Sequence, residues 1–175
     1  MKEKVLFDEE AILRMITRIS HEILEKGDDI EEIVLVGIKT RGIYLAKRIK
    51  EKIRNIEGIN IAVEVLDITF YRDDLSIENN DPLVNNVNFK LNLTNKVVVI
   101  IDDVLYTGRT VRAAIGAIIE QYRPKAIRLA ILIDRGHREL PIRADYVGKN
   151  IPTSRKENVK VQLTEVDNVD RVILM

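Results

Sequence analysis

The sequence contains no cysteine and only two histidines, His21 and His137. The absence of cysteine excludes a disulfide framework, a thiol nucleophile and the usual zinc sites. No serine stands in a nucleophile elbow, so covalent catalysis has no evident agent. Neither a Walker loop nor a GxGxxG fingerprint occurs, which argues against a hexose kinase or a nucleotide-binding module of those kinds.

An excess of charge of either sign is also missing. Lysine plus arginine and aspartate plus glutamate number 28 each, so any nucleic-acid binding depends on a local basic patch. The chain opens with charged residues and no long apolar segment follows, so we expect a cytoplasmic protein with neither a signal peptide nor a membrane span. With 175 residues, 46% of them hydrophobic, we expect one domain over 1–175.

Strand and helix patterns alternate through most of the chain. Apolar runs at 33–38, 97–101 and 126–133 are typical of strands buried on both faces, and 61–70 alternates like a half-buried strand through Ile61, Val63 and Val65. Helical spacing of apolar residues separates these runs, and Asp8 can cap the first helix. The alternation predicts a parallel α/β sheet with right-handed crossovers, followed after Asp134 by short β segments. The inward-facing helix residues are Ile12, Met15, Ile16, Ile19 and Ile23, then Leu45, Ala46, Ile49 and Ile53.

The segment 98–110, VVIIDDVLYTGRT, carries the strongest functional signal. We expect a strand that ends in Asp102 and Asp103, then a loop with Thr107 and Gly108, then a helix. In an open parallel sheet, ligands collect beyond the carboxyl ends of the strands. Helix N–H groups, hydroxyls and a glycine suit a phosphate, whereas the carboxylates suit ribose hydroxyls or magnesium. The alternative is an ordinary acidic strand end followed by a threonine cap.

A second candidate site is Lys39-Thr40-Arg41-Gly42, at the carboxyl end of the 33–38 strand. Two cations and a hydroxyl beside a helix N-terminus suit a pyrophosphate, although exposed loops of this composition are common. Because both loops leave the same edge of the sheet, they can bind two ends of one ligand. A third feature is Arg72, near the start of a polar stretch from 72 to about 90 that is either a solvated excursion or a lid.

Residues 98–110 resemble the phosphoribosyl-pyrophosphate (PRPP) signature of the type I phosphoribosyltransferases. Three further segments are similar to one branch of that family, whose members regulate pyrimidine operons by transcription attenuation and also carry uracil phosphoribosyltransferase activity. These segments are 38–46 (IKTRGIYLA), 67–75 (DITFYRDDL) and 134–146 (DRGHRELPIRADY). The resemblance runs from about Ala11 to about Val166. It implies the type I fold, a parallel sheet flanked by helices, with a flexible loop and a small β-rich hood at about 134–165 over a core at about 8–134.

The resemblance also implies a role for each candidate residue. The reaction would be uracil plus PRPP to UMP plus pyrophosphate with Mg²⁺, and Asp102, Asp103, Arg41 and Arg72 would be catalytic. Metal would arrive with PRPP, with Asp102 and Asp103 as its candidate protein ligands. Base recognition would begin at Asp134, Arg135, Gly136 and His137, and pyrophosphate would bind Lys39, Thr40, Arg41 and Gly42. The 5′-phosphate and ribose would bind Asp102, Asp103, Val104, Leu105, Tyr106, Thr107, Gly108, Arg109 and Thr110.

Charge placement supplies a candidate RNA surface. Residues 135–160 hold seven lysines or arginines against three acids, and the first helix presents Arg14, Thr17 and His21 away from its apolar face. From charge alone, solvated surfaces explain this pattern as well. The resemblance implies instead a surface for a hairpin of the pyrimidine operon leader mRNA, responsive to UMP or UTP, on a homo-oligomer that is a dimer or a hexamer. The predicted RNA-binding residues are Thr17, His21, Arg138, Arg143 and Lys149.

One alternative function stays open from the residues themselves. Pyrimidines are recognised largely through backbone groups, which side-chain identity does not reveal. A purine salvage enzyme that uses hypoxanthine or guanine and has no RNA role is therefore the second candidate.

Overall fold

The computed structural model describes residues 3–68 and 87–175. Arg72 and most of the predicted polar excursion therefore lie outside the described residues. The elements, in chain order, are β1 (Lys4–Phe7), α1 (Glu9–Glu25), a 3₁₀ turn (Ile30–Glu32), β2 (Ile33–Ile38), α2 (Arg41–Glu57), β3 (Ala62–Leu66), β4 (Val97–Leu105), α3 (Arg109–Gln121), β5 (Ala126–Asp134), β6 (Tyr146–Asn150), β7 (Val159–Gln162), α4 (Thr164–Asp167) and β8 (Arg171–Leu174).

The main sheet has five parallel strands in the order β3-β2-β4-β5-β6. This confirms the predicted parallel α/β architecture. The central strands β2 and β4 are buried almost throughout, as their apolar runs predict. One core cluster lies between the sheet and α1 and α2, and the other lies on the α3 side. Both faces of the sheet are thus covered, which is the usual condition for a parallel sheet.

Helix α1 has the predicted start and the predicted apolar face. The Asp8 carboxylate accepts a hydrogen bond of 2.9 Å from the Ala11 N–H, which caps the helix. The predicted inward residues of α1 and α2 are all buried. Among the described residues, no helix is long and apolar enough to cross a bilayer.

A second, three-stranded antiparallel sheet joins the two ends of the described chain, in the order β1-β8-β7. Lys4 of β1 pairs with Leu174 of β8. Strand β1 is absent from the sequence-based interpretation because its four residues carry no periodic pattern and are ordered by a partner far along the chain. Of the short β segments predicted after Asp134, the one at 146–147 becomes β6, the edge strand of the main sheet, whereas those at 159–163 and 172–174 enter this small sheet.

The predicted facing of the 61–70 strand is wrong at its centre. Val65 is 46% exposed, whereas Glu64 is only 7% exposed and its Oε1 accepts a hydrogen bond of 3.0 Å from the Leu91 N–H. Since β3 is an edge strand, the chain that crosses beside it supplies a polar partner for the glutamate. The apolar alternation therefore does not identify the buried face here.

Candidate active site

The two predicted ligand loops meet at the carboxyl edge of the main sheet. Gly37 of β2 pairs with Ile101 of β4, so the loop 39–42 emerges beside the acidic pair. Gly42 packs directly against β4, because a Cβ atom built there would lie 2.4 Å from the Ile101 carbonyl oxygen. A glycine is required for this approach. The first turn of α2 is therefore held against the strand that carries Asp102.

The acidic pair lies within β4, not at its end as the sequence predicts. Strand pairing with β5 continues to Leu105, opposite Asp134. Asp102 is 8% exposed and its Oδ1 accepts the Asp103 N–H at 2.9 Å, while Asp103 Oδ1 accepts the Val104 N–H at 2.8 Å. Burial raises the pKa of Asp103, against the opposing effects of the Val104 N–H and of the nearby Arg41 charge.

The segment 104–110 encloses a cavity of about 310 Å³. Gly108 precedes α3 with φ of 92°, in the left-handed region that favours glycine, and the first residues of the helix, Arg109, Thr110 and Val111, line this cavity. Thr107 Oγ1 accepts from the Arg109 N–H at 3.3 Å. This cavity lies where the sequence predicts a phosphate cradle. Its wall also includes Glu139, whose carboxylate lies 3.0 Å from Arg109 Nε.

The loop 39–42 has a cis peptide between Lys39 and Thr40. Lys39 Nζ lies 2.9 Å from Asp67 Oδ2 at the end of β3, in an ion pair that is about half exposed. The Arg41 guanidinium binds Asp167 of α4 through two hydrogen bonds, of 3.1 and 2.8 Å. Both cations of the loop are therefore oriented by carboxylates that come from other elements.

Residues 134–137 pack against the segment 104–110, which we call the phosphate loop. Asp134 Oδ1 accepts the Gly136 N–H at 3.0 Å, and the chain turns through positive φ at Gly136 and His137. Arg135 is buried, and its guanidinium carbon lies 4.1 Å from the centre of the Tyr106 ring. Its donors bind the 153–157 loop, where His137 Nε2 also contacts the Thr153 carbonyl at 2.5 Å. The predicted base-recognition residues therefore lie beside Tyr106, which lines the cavity at 104–110.

Arg138 forms a clamp between this segment and the phosphate loop. Its guanidinium donates to the Ile142 carbonyl at 2.9 Å, to the Tyr106 carbonyl at 2.8 Å and to the Asp134 carboxylate. The side chain is only 23% exposed. Because these donors are bound inside the protein, Arg138 is a poor candidate for the RNA phosphate contact that the sequence predicts.

The remaining predicted RNA-binding residues lie around β6, the edge strand. Helix α1 packs against this strand, where Arg18 donates to the Val147 and Gly148 carbonyls. His21 is exposed on α1, and Thr17 Oγ1 donates to the Leu13 carbonyl at 2.8 Å. Gly148 faces Met15 of α1, so the exposed Lys149 next to it points to the opposite face of the sheet.

Exposed Arg143 lies on the α3 side as well, beside Ile142 of the second core cluster. The predicted basic surface is therefore divided by the sheet edge. Thr17 and His21 lie on one side of it, whereas Arg143 and Lys149 lie on the other.

The sequence matches the phosphoribosyl transferase domain family over residues 4–168. Solved structures agree on the fold. A hypoxanthine phosphoribosyltransferase from Staphylococcus aureus superposes with a TM-score of 0.74 at 21% identity, over 97% of this chain and 89% of its own. A hypoxanthine-guanine phosphoribosyltransferase from Bacillus anthracis gives a TM-score of 0.74 at 18% identity, over 99% and 98% of the two chains. The chain belongs to the phosphoribosyltransferase family.

Curated relatives place it more finely, among the bifunctional PyrR proteins. It is 56% identical to bifunctional protein PyrR of Fusobacterium nucleatum, over 100% of this chain and 99% of the relative. The PyrR proteins of Caldicellulosiruptor bescii and Bacillus subtilis are 58% and 55% identical, each over 99% of this chain and over 95% and 97% of their own lengths.

Several residues of the site carry no signal that sequence reasoning detected. Asp167 and Glu139 reach Arg41 and Arg109 from distant parts of the chain, 126 and 30 residues away. Arg18 sits on the predicted polar face of α1, but its partners are backbone carbonyls of β6. Acidic residues in short polar segments look like ordinary surface charge until the fold supplies their partners.

Proposed function

We propose that this protein transfers the phosphoribosyl group of PRPP to uracil, giving UMP and pyrophosphate, and that it also binds pyrimidine operon leader RNA under the control of uridine nucleotides. The observation that carries the enzymatic part is the convergence of two loops on one acidic pair. A cradle for a phosphate at 104–110 and a cationic loop at 39–42 flank Asp102 and Asp103. The names of the PyrR relatives support the second activity.

The residues are arranged for a displacement at the anomeric carbon. The bond from C1′ to the pyrophosphate oxygen breaks, the bond from uracil N1 to C1′ forms, and the proton of N1 passes to the departing pyrophosphate or to solvent. Positive charge develops on the ribose ring next to the carboxylates of Asp102 and Asp103, while Arg41 and Lys39 face the negative charge of the departing pyrophosphate. The work of this chain is positioning and electrostatic stabilisation, with no covalent intermediate.

The acidic pair also suits a magnesium ion that arrives with PRPP. Asp102 and Asp103 offer hard carboxylate oxygens, the ligands that Mg²⁺ prefers. Among residues 3–68 and 87–175, no group of three or more histidine, cysteine or acidic side chains forms a complete metal site, so the ligand's own oxygens would have to complete the shell. The ion would neutralise pyrophosphate charge. We expect exhaustive chelation to abolish transfer and added Mg²⁺ to restore it.

Base specificity gives the most direct test of the enzymatic proposal. Residues 134–137 of the predicted hood and Tyr106 would frame the base. Transfer should be measured with uracil, hypoxanthine and guanine as separate acceptors. We expect UMP formation alone. Turnover of hypoxanthine or guanine without uracil would instead support a purine salvage enzyme.

RNA binding is tested by filter binding of a pyrimidine-leader hairpin across a salt series. Unpaired loop bases and phosphates suit an exposed, locally basic surface. We expect Arg143→Ala and Lys149→Ala to weaken binding and to flatten its salt dependence, each by roughly one unit of slope or less. His21→Ala tests the α1 side of the sheet edge. Lys50→Ala, on a helix away from β6, is the matched control for the loss of one charge.

We further propose that the protein acts in the cytoplasm as a homo-oligomer, either a dimer or a hexamer. A dimer would double the RNA surface around β6 and match one hairpin loop with two copies of the basic residues. Light scattering after size-exclusion chromatography measures the assembly directly. A monomer at all concentrations would contradict this part of the proposal.

A further inference from the structure

The carboxylate of Asp167, near the end of the chain, binds the guanidinium of Arg41 in the loop 39–42. Asp167, the last residue of α4, accepts from Arg41 Nε at 3.1 Å and from Nη2 at 2.8 Å. The Arg41 side chain is 23% exposed and that of Asp167 is 12% exposed. A two-point contact of this kind fixes the plane of a guanidinium as well as its distance.

Asp167 is itself held in place. Its Oδ2 accepts the Leu163 N–H at 3.0 Å, and its own N–H donates to the Leu163 carbonyl at 2.6 Å. The carboxylate is therefore attached to the turn that connects β7 to α4. It is a fixed support for Arg41 rather than a mobile counter-ion.

The contact between Asp167 and Arg41 is not needed to hold α2 against α4 and the residues before β8. Two turns further along α2, Arg48 binds Asp170 with hydrogen bonds of 2.5 and 2.9 Å and Glu165 with bonds of 2.8 and 2.6 Å. The Asp170 side chain is only 8% exposed. This neighbouring network ties the two elements together whether or not Asp167 is present.

A role in attracting pyrophosphate does not explain why a carboxylate lies beside Arg41. A carboxylate beside Arg41 reduces the positive charge that a polyanion meets, so it opposes binding at long range. The contact instead uses two of the five donors of the guanidinium and leaves the others in a fixed direction. Arg41 is also near enough to Asp103 for its charge to act on that carboxylate.

We propose that Asp167 is a positioning residue for phosphoribosyl transfer, which orients Arg41 toward the departing pyrophosphate. The inference rests on the proposed transfer reaction. Charge on the leaving group grows in the transition state, so an oriented arginine contributes more there than in the PRPP complex. Loss of Asp167 should therefore lower kcat more than it raises the KM for PRPP, with the KM for uracil unchanged.

A double-mutant cycle on the full-length protein tests this. Asp167→Asn keeps the size of the side chain but replaces one acceptor of the fork with a donor, and Asp167→Ala removes both acceptors. We expect kcat to fall about tenfold to a hundredfold in either variant. In an Arg41→Ala background, the same changes at Asp167 should alter kcat by less than about twofold, because the group that Asp167 orients is gone.

Glu165→Gln is the matched control, since it removes a carboxylate from the same helix that binds Arg48 instead of Arg41. It should keep the wild-type kcat. Thermal unfolding of every variant separates lost orientation from lost fold. Full kcat in Asp167→Asn, or equal losses with and without Arg41, would overturn the inference while leaving the enzyme assignment intact. A wild type that forms no UMP would overturn both.

Discussion

Adjacent carboxylates in this site occupy different environments. Asp102 is almost fully buried in β4, whereas Asp103 lies toward the loop and near Arg41. Each accepts a backbone N–H through one oxygen, Asp102 from Asp103 and Asp103 from Val104. In the proposed reaction, both would present negative charge to the ribose.

We expect Asp102→Asn and Asp103→Asn each to cripple transfer while the fold persists. Each change removes charge from a group that we propose to face the reacting sugar, and a lost charged partner in a transition state typically costs about 2 to 4 kcal/mol. Steady-state kinetics with circular dichroism as the check on folding would measure this. Unchanged kcat/KM for PRPP in one variant would remove that residue from the catalytic set.

A single methyl group at Gly42 should disrupt the meeting of the two loops. The added carbon would lie 2.4 Å from the Ile101 carbonyl, so α2 must move away from β4. Forcing atoms into packed backbone costs about 1 to 3 kcal/mol, and here it also displaces Arg41. We expect Gly42→Ala to lose both stability and transfer, as measured by urea unfolding and by UMP formation.

Gly116→Ala is the control, because it makes the same change at an exposed position of helix α3, where an added Cβ would meet no atom within 4 Å beyond the neighbouring backbone of the helix. Replacing glycine there should stabilise the protein by about 0.5 to 1 kcal/mol. Equal losses of stability in the two variants would mean that the close approach of Gly42 to the Ile101 carbonyl does not determine the effect of the substitution.

At the scale of elements, α4 is a short helix with an unusual concentration of charge contacts. Hydrogen bonds from Arg48 lower the pKa of Glu165, and hydrogen bonds from Arg41 lower the pKa of Asp167. A carboxyl group whose pKa is lower in the folded state stabilises the protein fully above its unfolded pKa. That contribution is lost as the pH falls through the folded value.

The ordinary pKa values are 4.5 for Glu165 and 3.8 for Asp167, so the free energy of unfolding should decrease as the pH falls below about 4.5. Urea titrations between pH 7 and pH 3 would measure the decrease. Glu165→Gln should make the curve shallower in this range, whereas a curve that coincides with the wild type would show that the Arg48 contact is not coupled to folding.

Elements also show how far sequence reasoning reaches in this chain. The buried runs of β2, β4 and β5 and the apolar faces of α1 and α2 follow from local periodicity, and so does the order of the two ligand loops. Strand β1 and residue Asp167 do not, because each is defined by a partner more than a hundred residues away. The predicted buried face of β3 is wrong for a related reason. The backbone N–H that donates to Glu64 belongs to Leu91, in the segment before β4.

For the whole molecule, the two proposed activities share one piece of structure. The hood, predicted at about 134–165, contacts the phosphate loop where the Glu139 and Leu140 N–H groups donate to the Thr107 carbonyl. The chain continues from there to Arg143 and β6. A nucleotide bound between loop and hood would order a segment that leads directly to the proposed RNA surface. Linkage then requires each ligand to strengthen the binding of the other by the same factor.

We expect UMP to raise leader-RNA affinity about 5- to 150-fold, the usual range for coupled sites. Filter binding of the hairpin with and without UMP measures the factor in one direction, and UMP titration with and without RNA measures it in the other. Unequal factors would indicate that UMP or RNA changes the assembly state as well. An RNA affinity that is the same with and without UMP would show that the two binding sites are not coupled.

The Arg138 clamp has a consequence for how the molecule opens. Its guanidinium joins Tyr106, Asp134 and Ile142, so the phosphate loop and the hood cannot loosen independently while these bonds hold. Their backbone amides should exchange with deuterium as one cooperative unit, with a common rate that UMP slows across both segments. In Arg138→Ala, UMP should still slow exchange in the phosphate loop, but it should slow exchange in residues 138–142 less than in the wild type.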